Sequence, residues 1–291
     1  MSRLHNRLWY LVFTVPLIMI FTIVVLIPFL IGIFYSFFEW DGIAANPMIY
    51  VGFDHYIELL SDGRFLNSAW LTVKFTFFSV ILVNILGLGF ALLVTTALKS
   101  SNFARTMFFM PNLIGGLILG YIWQFIFSDV LKMLGEATGY DQIFFNWLLD
   151  KDFAMYALVI VFAWQMAGYM MIIYIAGIQS IPNDVIEAAK IDGASYWQRL
   201  KNIMFPLLMP SFTISMFLTL SFGFKIYDTN LSLTNGGPVN QTELFAMHIY
   251  NEIFGYGNYG YGQAKAIIFF IVVAAITLTQ VYLTKKREVE M

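Results

Sequence analysis

Six apolar runs, each long enough to cross a bilayer as a helix, set the limits on what this chain can fold into. They lie near residues 9–37, 70–98, 106–127, 154–179, 207–230 and 263–284. A hydrocarbon core of about 30 Å takes about 20 helical residues. Charged residues make up 12% of the 291-residue chain, against about 25% in soluble domains. The expected fold is therefore an all-α membrane protein with six transmembrane helices. The first run is too long for a cleaved signal and has no small-residue cleavage site, so it reads as a retained span, kinked by Pro16 and Pro28.

Charge placement predicts the orientation. Arg3 and Arg7 precede the first span, Lys99 and Arg105 join the second and third, and Lys190, Arg199 and Lys201 lie between the fourth and fifth. Lys285, Lys286 and Arg287 close the chain. The opposite loops hold Arg64, Lys132 and Lys151 among many carboxylates, including Glu39, Asp41, Asp62, Asp129, Glu136, Asp141 and Asp150. By the positive-inside rule both termini and the loop before the fifth span are cytoplasmic. The acidic loops face outward, where a substrate would arrive. A net charge of −2 gives no footprint for nucleic acid, and the absence of cysteine excludes disulfides and thiolate metal sites.

Polar residues inside the spans are the pathway candidates. Asn84 in the second span serves either a hydrogen bond across the bundle or a pathway, and Gly87 and Gly89 favour close helix packing. In the fourth span Gln165, beside Trp164, needs a partner or water and is expected to face the bundle interior, an interhelical bond being the alternative. Lys225 and Asp228, three apart on one face of the fifth helix, are close enough to pair. With Tyr227 they mark a site or snorkel to the interface. The loop from Glu39 to Phe65 suggests a short amphipathic helix on the membrane surface, with His55 solvated. The Tyr/Gly stretch after His248 reads as an interfacial belt, followed by Lys265 early in the last span, and His248 fits no metal spacing.

The segment Ile181–Pro206 reads as a helix-turn-helix. Asn183 or Asp184 caps a short helix carrying Val185, Ile186, Ala188, Ala189 and Ile191; Gly193 stops it, and a second helix holds Tyr196, Trp197, Leu200 and Ile203. Glu187-Ala188-Ala189, then Gly193, then Ile203-Met204-Phe205-Pro206 resemble the loop of permease subunits in binding-protein-dependent ATP-driven importers. Phe205 stands where that family usually has leucine. MFFMPNLIGG from Met107 and the turn Asn235-Gly236-Gly237-Pro238 resemble the same family, and the loop's order and Pro-rich flanks are most similar to its carbohydrate-uptake branch, of the maltose and multiple-sugar type with a MetI-like fold.

The resemblance implies that Glu187, Ala188, Ala189, Asp192, Gly193, Ile203 and Pro206 dock on a cytoplasmic ATPase. It also implies a heterodimer with a second homologous permease, two ATPase subunits that bind ATP and Mg, and an extracytoplasmic solute-binding protein, all in a bacterial cytoplasmic membrane with sugar as cargo. The division expected is residues 1–65 as anchor, first span and outer loop, and 66–291 as a five-helix permease core with its coupling loop at 180–206. No phosphate loop, serine elbow or His-Glu-x-x-His occurs, and no chain of carboxylates or histidines lines a span, so this chain is expected not to be an enzyme and to draw its energy from a partner. The alternatives are the same importer class carrying a polyol or glycerol phosphate, and a self-sufficient secondary carrier or channel.

Overall fold

The computed structural model describes residues 2–96 and 100–288, with side chains from Tyr10 onward. Lys99 and the side chains of Arg3 and Arg7, used above for orientation, lie outside these. Helix α1 (Ser2–Phe21) runs through a π-turn at Thr22–Leu26 into α2 (Ile27–Tyr35). Pro28, in the first turn of α2, has no N–H and crowds the carbonyl four residues earlier. That residue, Val24, lies inside the π-turn. Two short strands follow, β1 (Phe38–Glu39) and β2 (Ile49–Tyr50), paired antiparallel with Phe38 opposite Tyr50. Then come α3 (Asp54–Leu59), the 33-residue α4 (Gly63–Thr95) and α5 (Ser101–Phe109).

The third span departs from its expected course. A 3-10 turn at Met110–Leu113 and extended backbone at Ile114 and Gly115 separate α5 from α6 (Gly116–Phe125), which continues through a π-turn into α7 (Leu131–Thr138). The apolar helix long enough to span is Gly116–Thr138, displaced toward the C-terminus from the expected 106–127. Pro111 supplies no N–H, and Gly115 has no side chain to hold helical geometry. The fourth span, α8 (Lys151–Ser180), is continuous and begins with the Asp150 carboxylate accepting from the backbone N–H groups of Asp152 and Phe153.

After α8 come α9 (Asn183–Ile191), α10 (Tyr196–Arg199), a π-turn at Leu200–Met204 and α11 (Phe205–Leu207). The chain then bends by 66° into α12 (Met209–Phe224). The fifth run, expected as one helix over 207–230, is thus shorter, because Pro206 and Pro210 flank the bend and α12 stops at Phe224. Sixteen residues rise about 24 Å, less than the hydrocarbon thickness. Helices α13 (Asp228–Leu233), α14 (Phe245–Tyr250) and α15 (Tyr259–Lys285) complete the chain. Among the described residues five helices are long and apolar enough to cross a membrane, or six if the bent pair around Leu208 counts as one span.

The chain forms two compact units, Met1–Gly63 with Ile249–Phe270, and Arg64–His248 with Ile271–Met291. Residues 249–270 thus belong with the N-terminal segment. Glycines allow it. A Cβ on Gly260 would lie 1.8 Å from the Phe38 carbonyl oxygen, and one on Gly32 would lie 2.8 Å from Gln263 Oε1. The Gly260 N–H donates to the Trp40 carbonyl at 3.1 Å, and the Tyr35, Trp40 and Tyr259 rings meet one another. His55, expected in solvent, is buried here, with Nδ1 3.0 Å from the Ser36 carbonyl. The outer face of α3 is apolar instead, carrying Phe53, Ile57 and Leu60 at 66–78% exposure.

In the second unit α4, α8 and α12 make the core. Phe75 meets Phe162 edge-on at 5.4 Å, and Gly87 admits Met170 and Ala167 of α8. Small residues at such crossings let backbones approach without relying on a hydrophobic driving force.

Candidate functional site

Helix α9 follows Pro182, which is its N-cap residue and supplies no side-chain cap, so neither Asn183 nor Asp184 caps it as expected. Its C-terminus is fully built. The Ala194 N–H donates to the Ala189 carbonyl at 2.9 Å and the Gly193 N–H to the Lys190 carbonyl at 3.1 Å, with Gly193 at φ +78. These are the paired bonds of a Schellman motif, which needs a left-handed residue at the glycine position. One residue later a capping box starts α10: Ser195 N–H donates to the Gln198 side chain at 2.7 Å, and Gln198 N–H donates to Ser195 Oγ. The Arg199 guanidinium closes the turn by donating to the Ala194 carbonyl.

The turn is therefore rigid by local bonds and yet open outward. Glu187, Ala188, Asp192 and Gly193 are exposed, and Ile191 and Trp197 are 86% and 74% exposed. A Cβ at Gly193 would meet nothing within 4 Å. Ala189 is buried at 8% exposure, so of the two alanines only Ala188 is available to a partner. Ile203 and Pro206 are half-buried, and the chain passes from them through the bend at Leu208 directly into α12.

A second feature lies in the same unit, where two helix breaks face each other. Ile114 and Gly115 interrupt the third span, and residues 225–227 interrupt the fifth. Helix α13 crosses α6 at Gly116 and Gly120: a Cβ on Gly116 would be 2.9 Å from Asp228 Cβ, and one on Gly120 would be 1.8 Å from Ser232 Oγ. The Thr229 and Ser232 hydroxyls both point at the Gly116 carbonyl, 3.4 Å away. Gln165 Nε2 donates to the Ile114 carbonyl at 3.0 Å, satisfying an acceptor that the extended backbone removes from the helical ladder. No side chain caps α6, so its first N–H groups, with Leu117 and Ile118 exposed beside them, carry no partner from their own helix. Irregular backbone within a span is tolerated where protein buries it or where it lines a watery cavity.

The structure thus brings Gln165, Lys225, Tyr227 and Asp228 to the two breaks and leaves Asn84 in the bundle packing. Lys225 and Asp228 do not share a helical face, because α12 ends before Lys225 and Asp228 opens α13; among the described residues no ion pair joins them. Asn84 is buried at 6% exposure, its Oδ1 accepting from the Tyr174 and Ser215 hydroxyls at 2.7 Å each and its Nδ2 donating to the Val80 carbonyl. That geometry ties α4, α8 and α12 together and accounts for Asn84 as packing. Trp164 is 41% exposed and meets Trp123 edge-on at 5.4 Å, the first contact of a ring series through Phe127 and Trp147. Tyr174, Trp123, Thr229 and Ser232 escaped the reading of the sequence. The spacing of Gly116 and Gly120 was the available signal for the crossing that Thr229 and Ser232 make.

The description "binding-protein-dependent transport system inner membrane component" matches residues 2–289, nearly the full length. The chain belongs to this permease family. Over 286 residues it is 49% identical to a probable starch degradation products transport system permease protein of Thermoanaerobacterium thermosulfurigenes, covering 98% of this chain and 97% of that one. A multiple sugar-binding transport system permease protein of Streptococcus mutans is 31% identical over 287 residues, 99% of each chain. Among solved structures, a bacterial ABC transporter involved in the import of the acidic polysaccharide alginate shares the permease fold, with TM-score 0.83 and 21% identity over 97% of this chain and 96% of that one. The permease is thus an inner-membrane transport component, as the apolar spans and the helix-turn-helix led one to expect.

Proposed function

We propose that this permease is one of two homologous membrane subunits of an ATP-driven importer for sugars, with oligosaccharides as the cargo class. Two cytoplasmic ATPases bind ATP and Mg, and an extracytoplasmic solute-binding protein delivers the sugar. Both termini and the helix-turn-helix are cytoplasmic. The observation that carries the reading is the exposed, locally locked turn at Gly193, joined to α12 by a short bent connection. A rigid element with a free apolar and acidic surface suits docking into a partner, and its direct continuation into a span suits force transmission. Glu187 pairs with a basic group of the ATPase, and Ala188 admits its surface closely.

The aligned breaks at 114–115 and 225–227 are where the pathway passes, because discontinuous helices place backbone donors and acceptors within the membrane. Their polar complement is Gln165, Tyr227, Asp228, Lys225 and the uncapped start of α6. This mixture suits neutral hydroxyl-rich cargo. A phosphate-bearing cargo calls for concentrated cations, and among the described residues of the two breaks Lys225 is the one cation, three residues from Asp228. Relatives that carry starch degradation products and multiple sugars, at 49% and 31% identity, support sugar, and sn-glycerol-3-phosphate permeases at 31–33% identity keep that cargo as the second reading.

The test is gentle solubilisation of tagged wild type and Gly193→Val, identification of co-purifying chains by mass spectrometry, and uptake of labelled maltodextrins. Wild type should bring a second permease and an ATPase. The variant should stay in the membrane, lose the ATPase and stop uptake. Uptake that continues without attached ATPase, or transport by the chain alone in liposomes, refutes the coupling reading in favour of a self-sufficient carrier.

A further inference from the structure

Lys265, in the second turn of α15, is 1% exposed. Its Nζ lies 2.7 Å from Glu252 Oε2 and 2.9 Å from Asp62 Oδ2, and 4.4 Å above the Tyr261 ring. Neighbouring donors add a further bond to each carboxylate. Tyr261 OH donates to Asp62 Oδ2 at 3.1 Å, and Asn258 Nδ2 donates to Glu252 Oε1 at 2.7 Å. His55 packs its ring against Tyr261 at 5.4 Å and anchors through Nδ1 to the Ser36 carbonyl. Every member belongs to the unit formed by Met1–Gly63 and Ile249–Phe270. Three segments therefore meet at one ammonium group: the loop ending at Asp62, the π-turn Asn251–Gly255 that holds Glu252, and the last span.

An ionisable group inside a span points to a function and to a named partner. Contact with cargo does not suit this one, because a lysine buried to this degree and flanked by two carboxylates offers no surface. A latch that opens in each cycle does not suit it either. Separating the group exposes an unpaired buried charge, which is strongly destabilising. We infer that Lys265 is a permanent ionic tether that makes residues 36–62 and 249–258 travel with the first third of α15 as one body throughout the transport cycle. That this body moves through a transport cycle rests on the importer function; the tether itself rests on the geometry.

The chain has no cysteine, so spin labels can be placed at Ile57→Cys and Phe254→Cys, both exposed positions of this unit. Distances are read by pulsed electron resonance in lipid nanodiscs, for the chain alone and for the complex with ATPase, nucleotide-free and trapped with ATP. A single narrow distance that moves by less than about 2 Å between the two states is expected. Lys265→Met should broaden it and lower membrane abundance several-fold. The neutral triple variant Lys265→Met/Asp62→Asn/Glu252→Gln removes the unpaired charges, so abundance should recover while the distance stays broad. The tether is overturned if the wild-type distance differs between the states by clearly more than that, or if Lys265→Met leaves it narrow. Failure to capture an ATPase bears on the importer reading alone, since the narrow distance and its broadening are still read in the isolated chain.

Discussion

Replacing Gly193 separates backbone conformation from size, because the two are independent at this position. Gly193 has φ +78, and beyond its chain neighbours a Cβ would meet no atom of the described residues within 4 Å. The only intrinsic penalty of a side chain is thus the left-handed backbone, about 1–2 kcal/mol for an ordinary L-residue. Asparagine adopts that region more readily than alanine, and β-branched valine least readily. The Schellman bonds from Gly193 and Ala194 to Lys190 and Ala189 are local, and no span contacts the turn's added Cβ. The penalty therefore falls on the population of the closed turn and leaves membrane insertion alone. A difference of 1–2 kcal/mol corresponds to about 5- to 30-fold. ATPase affinity, titrated on nanodisc-embedded permease, should fall little for Gly193→Asn, about 5- to 30-fold for Gly193→Ala and furthest for Gly193→Val, at equal membrane abundance. An asparagine variant as weak as the valine one would refute the backbone argument and show that the partner's surface excludes any side chain there.

Other consequences concern the bundle and the outer loop. Gly168→Ala places a Cβ 1.8 Å from the Phe108 carbonyl oxygen, and backbone cannot yield as a side-chain tip can; the helices must separate, at about 1–3 kcal/mol or more, seen as loss of folded protein in thermal scans of the detergent-solubilised chain. Gln165→Leu leaves the Ile114 carbonyl without its donor at about 1–3 kcal/mol. It should depress uptake more than abundance, and equal losses in both would assign Gln165 to packing alone. The Asp41 carboxylate accepts from the Ile43 N–H and then from the Asn46 side chain, which hold its pKa below the ordinary 3.8. The order it lends the 41–46 turn is accordingly present above pH 3.8 and lost as pH falls through the lower folded value; carbon NMR of the labelled carboxyl should show that lower midpoint.

The membrane class, the family and the turn at Gly193 were legible in the chain before any folding was known. Those features are local or compositional: apolar length exceeds the bilayer thickness, and a Schellman turn followed by a capping box is written within ten residues of chain. The same locality misled elsewhere. Lys225 and Asp228 looked like one helical face because a spacing of three implies a pair only while the helix continues, and α12 stops at Phe224. His55 looked solvated because it lies in an outer loop, yet the packing of Tyr261 within its unit buries it. The alignment of the two helix breaks, the tie of Asn84 to Tyr174 and Ser215, and the meeting of Asp62, Glu252 and Lys265 were decided by tertiary structure alone. Each joins residues from 13 to 203 positions apart, whose partners are chosen by how close the intervening glycines let the backbones come.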